Sequence, residues 1–130
     1  RLAECYEKLG WTASSWRAFL SVEKAARATV TDSGIDRVCE LVGRKSPGIY
    51  DPQASLFCLE AGIALLQRDL TDLLYLSTTD FVQHKYAPDT PEALAFCGQL
   101  DQLLGELYAT GAVVGITTDH GMNAKNREDS

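Results

Sequence analysis

Each of the two histidines in the 130-residue chain lies within four positions of an aspartate, and imidazole and carboxylate together could bind a metal ion. Asp80 and His84 are spaced i, i+4, so one helix face or a curled loop lets both grip one ion. Asp119 directly precedes His120, and the chain must bend, as Gly121 permits, for both side chains to meet an ion. Carboxylate oxygen and neutral imidazole together suit zinc, manganese or iron better than magnesium or calcium. The two pairs therefore predict a transition-metal site.

Two apolar runs precede the two pairs and are predicted to be strands. Residues 73–77 and 112–117 are short and almost wholly apolar, which is typical of strands buried in a parallel sheet. Between them, Thr90 can cap a helix, Pro91 fits its first turn, and Gly111 ends its apolar stripe. Such a crossover is nearly always right-handed and makes its strands parallel. We expect the candidate ligands to converge at the carboxyl edge, where open α/β sheets bind ligands.

The first half of the chain predicts helices and one ambiguous segment. Residues 16–22 fit either a strand or the start of a helix. Helices are predicted over residues 2–9, 34–42 and 51–68, the last of them mostly buried. We divide the 130 residues, without a firm boundary, into a helix-rich segment, 1–69, and a βαβ unit that carries the metal motifs, 70–125.

Composition and charge restrict the class of protein. The chain is 45% hydrophobic and 23% charged, as in an ordinary folded domain, and no apolar run reaches the roughly 18 residues that span a bilayer. Its net charge of -6 argues against a nucleic-acid partner, which needs a clustered basic face. A small anion can still bind, because a metal supplies positive charge locally. We therefore expect a small-molecule substrate and no nucleic-acid or membrane partner.

The cysteines and the chain ends concern location and completeness. The four cysteines are far apart and form no Cys-x-x-Cys pair. Buried thiols in a reducing, cytoplasmic setting are therefore predicted for Cys5, Cys39, Cys58 and Cys97. The chain begins with Arg1 and ends on a polar run without a closing element, so we interpret it as a piece of a longer protein. These features do not set the oligomeric state.

Two short strings resemble the central metal motifs of the alkaline phosphatase superfamily. One is residues 118–122, Thr-Asp-His-Gly-Met, and the other is residues 79–84, with the pattern Asp-x-x-x-His. The resemblance covers most of the chain and is strongest in its second half. The wider text resembles the phosphonoacetate hydrolases of that superfamily at residues 72–80, 84–85, 87–88 and 119–125.

The resemblance implies an α/β fold, here a fragment of an alkaline-phosphatase-like, mostly parallel sheet flanked by helices. It also implies zinc-dependent hydrolysis of the carbon–phosphorus bond of phosphonoacetate to acetate and phosphate. Asp80 and His84 then correspond to ligands of one zinc ion, and Asp119 and His120 to ligands of the other. The family's threonine nucleophile, one further aspartate ligand and one further histidine ligand lie in segments that this chain lacks. No catalytic residue is therefore assigned, and the fragment alone is expected to be inactive.

Three residues are candidates for substrate contacts by position only. Lys125 or Lys85 can neutralise charge on the carboxylate of the substrate, and Asn123 can donate to a phosphonyl oxygen. A plain surface role stays open for all three. Two other functions also stay open, because a phosphodiesterase or nucleotide pyrophosphatase shares both short motifs, and a non-catalytic metal-binding fragment needs no nucleophile.

Overall fold

The computed structural model describes the backbone of residues 17–21 and all atoms of residues 37–124. The helix predicted over residues 2–9 lies outside the described residues, as do Cys5 and Lys125. The described part has two strands and four helices, and each strand is followed by two helices. They are β1 (Arg17–Ser21), α1 (Val38–Val42), α2 (Gln53–Gln67), β2 (Leu73–Ser77), α3 (Phe81–Lys85) and α4 (Pro91–Ala109).

The two strands form a parallel pair. Their register runs from Arg17 opposite Leu73 to Ser21 opposite Ser77. The ambiguous segment 16–22 is therefore a strand, and β2 has the bounds that its apolar run predicts. Parallel strands need a crossover between them, and α1 and α2 lie in that connection. Both strands thus end at one edge of the sheet, and Asp80 follows β2 at that edge.

The strand predicted at residues 112–117 is not formed. In the described part of the chain, β2 pairs with β1, and residues 112–117 belong to no strand. Val113 is 103% exposed and Ile116 is 74% exposed, so the largest side chains of the run include two that face solvent. An apolar run supplies the side chains of a buried strand, but a strand also needs a neighbour that pairs with its backbone and layers that cover it. The prediction of a second strand after the long helix is therefore wrong for this structure.

Helix α2 is the centre of the core, as its apolar residues on several faces predict. One face packs Phe57, Cys58 and Leu65 against α1 and against Leu74 and Leu76 of β2. On the opposite face of α2, Leu56 packs in a second cluster with Val82 of α3 and Phe96 of α4. Burial of each large apolar side chain contributes about 1.5–3 kcal/mol. Because α2 contacts both sides, it fixes β2 and α3 relative to each other.

Helix α4 begins where its capping residues predict. The Thr90 hydroxyl accepts a hydrogen bond from the Ala93 amide at 3.3 Å, and Pro91 occupies the first helical position. The predicted apolar stripe is only partly covered, because Cys97 and Tyr108 are exposed. The prediction of buried thiols is therefore wrong at Cys97. Among the described helices, none combines the length and the hydropathy that crossing a membrane requires.

Candidate metal centre

Asp80 lies at the start of α3, three residues beyond the end of β2. Its backbone carbonyl accepts a hydrogen bond from the His84 amide at 2.9 Å and so begins the helix. One turn later the two side chains meet, with 2.9 Å between Asp80 Oδ2 and His84 Nε2. Both side chains are about half exposed, at 51% and 48%. The i, i+4 spacing therefore brings this carboxylate and this imidazole together at the carboxyl edge of the parallel sheet, as predicted.

The loop before Asp80 is held in place by hydrogen bonds from side chains of α2. The buried Ser55 hydroxyl donates to the Thr79 carbonyl at 3.1 Å and accepts from the Thr79 amide at 3.1 Å. One turn further along α2, the Cys58 thiol donates to the Ser77 carbonyl at 3.7 Å. Burial raises the pKa of this thiol from its ordinary 9.0 to about 12, so the thiol stays protonated at neutral pH. The backbone on either side of Thr78 is thus tied to the core.

Asp119 and His120 contact each other through a local bend. The His120 amide donates to Asp119 Oδ1 at 3.1 Å, and His120 Nε2 lies 3.8 Å from Asp119 Oδ2. The imidazole Nδ1 lies 3.0 Å from the Gly121 carbonyl, and the Thr118 hydroxyl donates to the His120 carbonyl at 2.8 Å. The bend that this neighbouring pair requires is therefore present. All of these contacts join residues that are at most two positions apart.

Electrostatic forces act between the two pairs. The pKa of His120 is raised first by the Gly121 carbonyl and then by the Asp119 carboxylate. The charge of Asp80 also contributes to this raised pKa, although desolvation opposes it. Within stretches 17–21 and 37–124, however, no group of three or more His, Cys, Asp and Glu side chains is arranged to hold a metal ion. The structure brings the four predicted ligands together as two pairs and not as one cluster.

The two pairs suit zinc in the kind of their donor atoms. Asp80 Oδ2 and His84 Nε2 are atoms of the kinds that zinc takes as ligands, and they lie 2.9 Å apart. A cation placed there would have a carboxylate oxygen and an imidazole nitrogen as neighbours. Zinc normally takes four ligands, so each pair supplies half of a tetrahedral shell. The donor types fit the metal, and an ion at either pair would need further ligands.

The predicted substrate contacts have different outcomes. Lys85 Nζ lies 5.7 Å from the ring centroid of Phe81 and 5.4 Å from that of Tyr86, so its ammonium group sits over aromatic faces beside His84. Asn123 is exposed near the bend. Lys125 is outside the described residues. Substrate contacts of all three therefore stay predictions.

Ser55 is absent from the predicted site, although it holds the loop that leads to Asp80. The signal that the sequence offers for this residue is a serine among the mostly apolar residues near the start of α2. Burial to 2% exposure makes this hydroxyl dependent on a partner inside the protein. The partner, the backbone of Thr79, is 24 positions away and is not recognisable from spacing.

Two solved structures of phosphonoacetate hydrolase from Sinorhizobium meliloti 1021 are similar to this chain. One is a complex with phosphonoformate, at a TM-score of 0.68, and the other is a complex with phosphonoacetate, at a TM-score of 0.69. In both, sequence identity is 34% over 77% of this chain, and the chain spans 30% of the length of that enzyme. The fold is therefore alkaline-phosphatase-like, and the suspected resemblance to phosphonoacetate hydrolase is confirmed.

The sequence profile of a broader family covers nearly the whole chain. Residues 15–129 match it, which includes both strands, α2 and both pairs of candidate ligands. This match and the solved relatives point to the same hydrolase superfamily. The chain belongs to the type I phosphodiesterase / nucleotide pyrophosphatase family.

Proposed function

We propose that this chain is part of a zinc-dependent hydrolase that cleaves the carbon–phosphorus bond of phosphonoacetate to give acetate and phosphate. The observation that carries the proposal is the Asp80–His84 contact at the carboxyl edge of a parallel sheet. It occurs in a chain that is 34% identical to a phosphonoacetate hydrolase. Free thiols at the three described cysteines fit the reducing, cytoplasmic setting that we propose for the enzyme.

Four residues of this chain would hold two zinc ions. Asp80 and His84 bind one ion, and Asp119 and His120 bind the other. When bound, the ions polarise the phosphonate oxygens and lower the pKa of a bound hydroxyl or water. The imidazoles must be neutral to bind, so protons compete with zinc and the affinity falls in acid. The loop between β2 and Asp80 would set the position of the Asp80 and His84 side chains.

The chain supplies only part of this site. It spans 30% of the length of the similar enzyme, and its two pairs offer two donors each. We propose that the nucleophile and the remaining ligands lie in segments of the full-length protein outside this chain. The 130-residue chain alone is then inactive and binds zinc weakly. A tight two-site zinc isotherm for this chain by calorimetry would contradict that view.

Substrate choice is tested with the full-length protein. Turnover of phosphonoacetate is compared with turnover of a nitrophenyl phosphodiester, before and after removal of metal by a chelator. We expect preference for phosphonoacetate, loss of activity with chelator and recovery with zinc. Activity that persists after complete metal removal would overturn the zinc requirement.

A phosphodiesterase is the second candidate, and the family match favours it specifically. Both reactions need charge neutralised on phosphorus-bound oxygens, so the same ligand pairs serve either substrate. They differ in the leaving group, which is a carbon in phosphonoacetate and an oxygen in a diester. Equal or faster turnover of the diester would favour the second candidate over the first.

A further inference from the structure

Ser55 is a buried polar residue at the start of an apolar helix, and the proposed chemistry does not use it. Its side chain is directed at the backbone of a single residue, Thr79, whose carbonyl accepts from the hydroxyl and whose amide donates to it. Outside regular pairing, a buried backbone group needs such a partner. The hydroxyl therefore replaces the pairing that the backbone loses where β2 ends.

Asp80 directly follows Thr79, so the position of the Thr79 backbone determines the position of the Asp80 backbone. The Asp80 carbonyl then starts α3, and the Asp80 carboxylate meets His84. On the other side of Thr78, the Cys58 thiol contacts the Ser77 carbonyl. Ser55 and Cys58 are three positions apart on α2, so they share one face of the helix. That face holds both ends of the short loop.

We propose that Ser55 is a positioning residue for the metal-binding pair Asp80 and His84, acting through the backbone of Thr79. The inference rests on the proposed function, because it concerns how a zinc ligand is held. Partners that orient metal ligands commonly change affinity by about 10–100-fold when they are removed. Ser55 does not touch the ligands themselves, so its effect is on their position.

The first measurement follows amide hydrogen exchange in the metal-free chain by NMR. In Ser55→Ala, the Thr79 amide loses its acceptor, so we expect its exchange to rise at least about 10-fold more than that of α2 core amides. The matched control is Ala54→Gly, since Ala54 is the preceding buried residue of α2 and carries no side-chain hydrogen bond. The control should raise exchange across the fold without singling out residues 78–84.

The second measurement is zinc affinity of the full-length protein, by competition with a chromophoric chelator. We expect Ser55→Ala to weaken zinc binding by about 10–100-fold, and Ala54→Gly to change it by less than about 3-fold. If Ser55→Ala does not fold, Ser55→Cys keeps a weaker donor and acceptor and should show the same local effect at smaller size.

The outcomes separate this inference from the proposed function. Wild-type protein that binds no zinc overturns the proposed function and, with it, the ligand role of the Asp80–His84 pair. Wild-type binding that Ser55→Ala leaves unchanged overturns the positioning role alone. Equal exchange at Thr79 in Ser55→Ala and Ala54→Gly also overturns it, because the effect would then be one of general stability.

Discussion

The two pairs of candidate ligands have the same residue types but are held in different ways. The loop that leads to Asp80 is tied to α2 by contacts across 24 and 19 positions of the chain, at Thr79 and Ser77. Within the described residues, the hydrogen bonds around Asp119 and His120 join close neighbours only, and Val113 and Ile116 in the preceding run are exposed. The conformation of the first motif therefore depends on contacts with the core, whereas that of the second depends on local contacts.

This difference shows what the family motifs need from the rest of a protein. A loop acquires a fixed shape when its backbone groups find partners in a packed core, as the Thr79 peptide finds Ser55. Residues 112–117 carry a strand-like sequence, but no described strand pairs with them. We propose that the second motif becomes fixed only when further segments of the full-length protein cover this run.

The largest effect is expected from breaking the ordered pair itself. Asp80→Asn in the full-length protein keeps the shape of the side chain but removes the negative charge that, in our proposal, would bind the cation. We expect phosphonoacetate turnover to fall by at least about 100-fold, which corresponds to about 2.7 kcal/mol of lost stabilisation. The matched control is Asp101→Asn on the exposed side of α4, which should change turnover by less than about 2-fold. A loss of under about 3-fold in Asp80→Asn would remove this residue from the site.

A second test disturbs the packing between α2 and β2, the strand that leads to Asp80. A Cβ atom on Gly62 of α2 would lie 2.6 Å from Leu76 Cδ1 of β2, whereas Gly98 of α4 has nothing within 4 Å of that position. We expect Gly62→Val to lower the free energy of unfolding by about 2–3 kcal/mol through overpacking. Gly98→Val should change it by less than about 0.5 kcal/mol.

Urea unfolding of both valine variants measures this contrast. The same substitution is made in two helices, so helix propensity cancels and the remaining difference reports packing against β2. Equal free energies of unfolding for the two variants would show that α2 does not press closely on the strand. That result would also weaken the view that α2 sets the position of Asp80.

A third test uses pH to probe the Cys58 thiol, which donates to the Ser77 carbonyl at the start of the same loop. The Cys58 thiol ionises near its ordinary 9.0 when unfolded and at about 12 when folded, because burial raises its pKa. The unfolded chain therefore loses its proton first as the pH rises. Stability from this group is complete below about pH 9 and falls above it, by up to about 1.4 kcal/mol per pH unit.

The measurement compares free energies of unfolding from pH 8 to pH 11. Cys58→Ala should show a shallower alkaline decline than the wild type, since only this group is removed. Cys97→Ala removes an exposed thiol and should keep the wild-type slope. Parallel slopes for the wild type and Cys58→Ala would indicate that the Cys58 thiol is accessible to solvent.

The smallest effect is expected in the locally held region. Val113 is fully exposed, so Val113→Ser removes no buried contact within the described residues. We expect the free energy of unfolding to change by less than about 0.5 kcal/mol. In the full-length protein, the same substitution should cost 1 kcal/mol or more, at about 25 cal/mol per Å² of apolar area covered. A large loss already in the 130-residue chain would show that residues 112–117 are packed.

The same contrast explains which features were predictable from the sequence. The start of α4 follows from Thr90 and Pro91, and β2 follows from an apolar run with turns on both sides, because these signals are local. The Asp80–His84 contact follows from helical spacing. Ser55 was not predictable, since its partner is distant in the chain. Residues 112–117 were assigned to a strand wrongly, because apolar side chains say nothing about whether a pairing neighbour is present.

The central claim is that both pairs of residues hold zinc. A crystal structure of the full-length protein grown with zinc, with ions located by anomalous scattering, tests it most directly. We predict one ion within about 2.0–2.2 Å of Asp80 and His84 and a second at the same distance from Asp119 and His120. Zinc bound elsewhere, or the two pairs held well over ~10 Å apart with neither on a metal, would contradict the account.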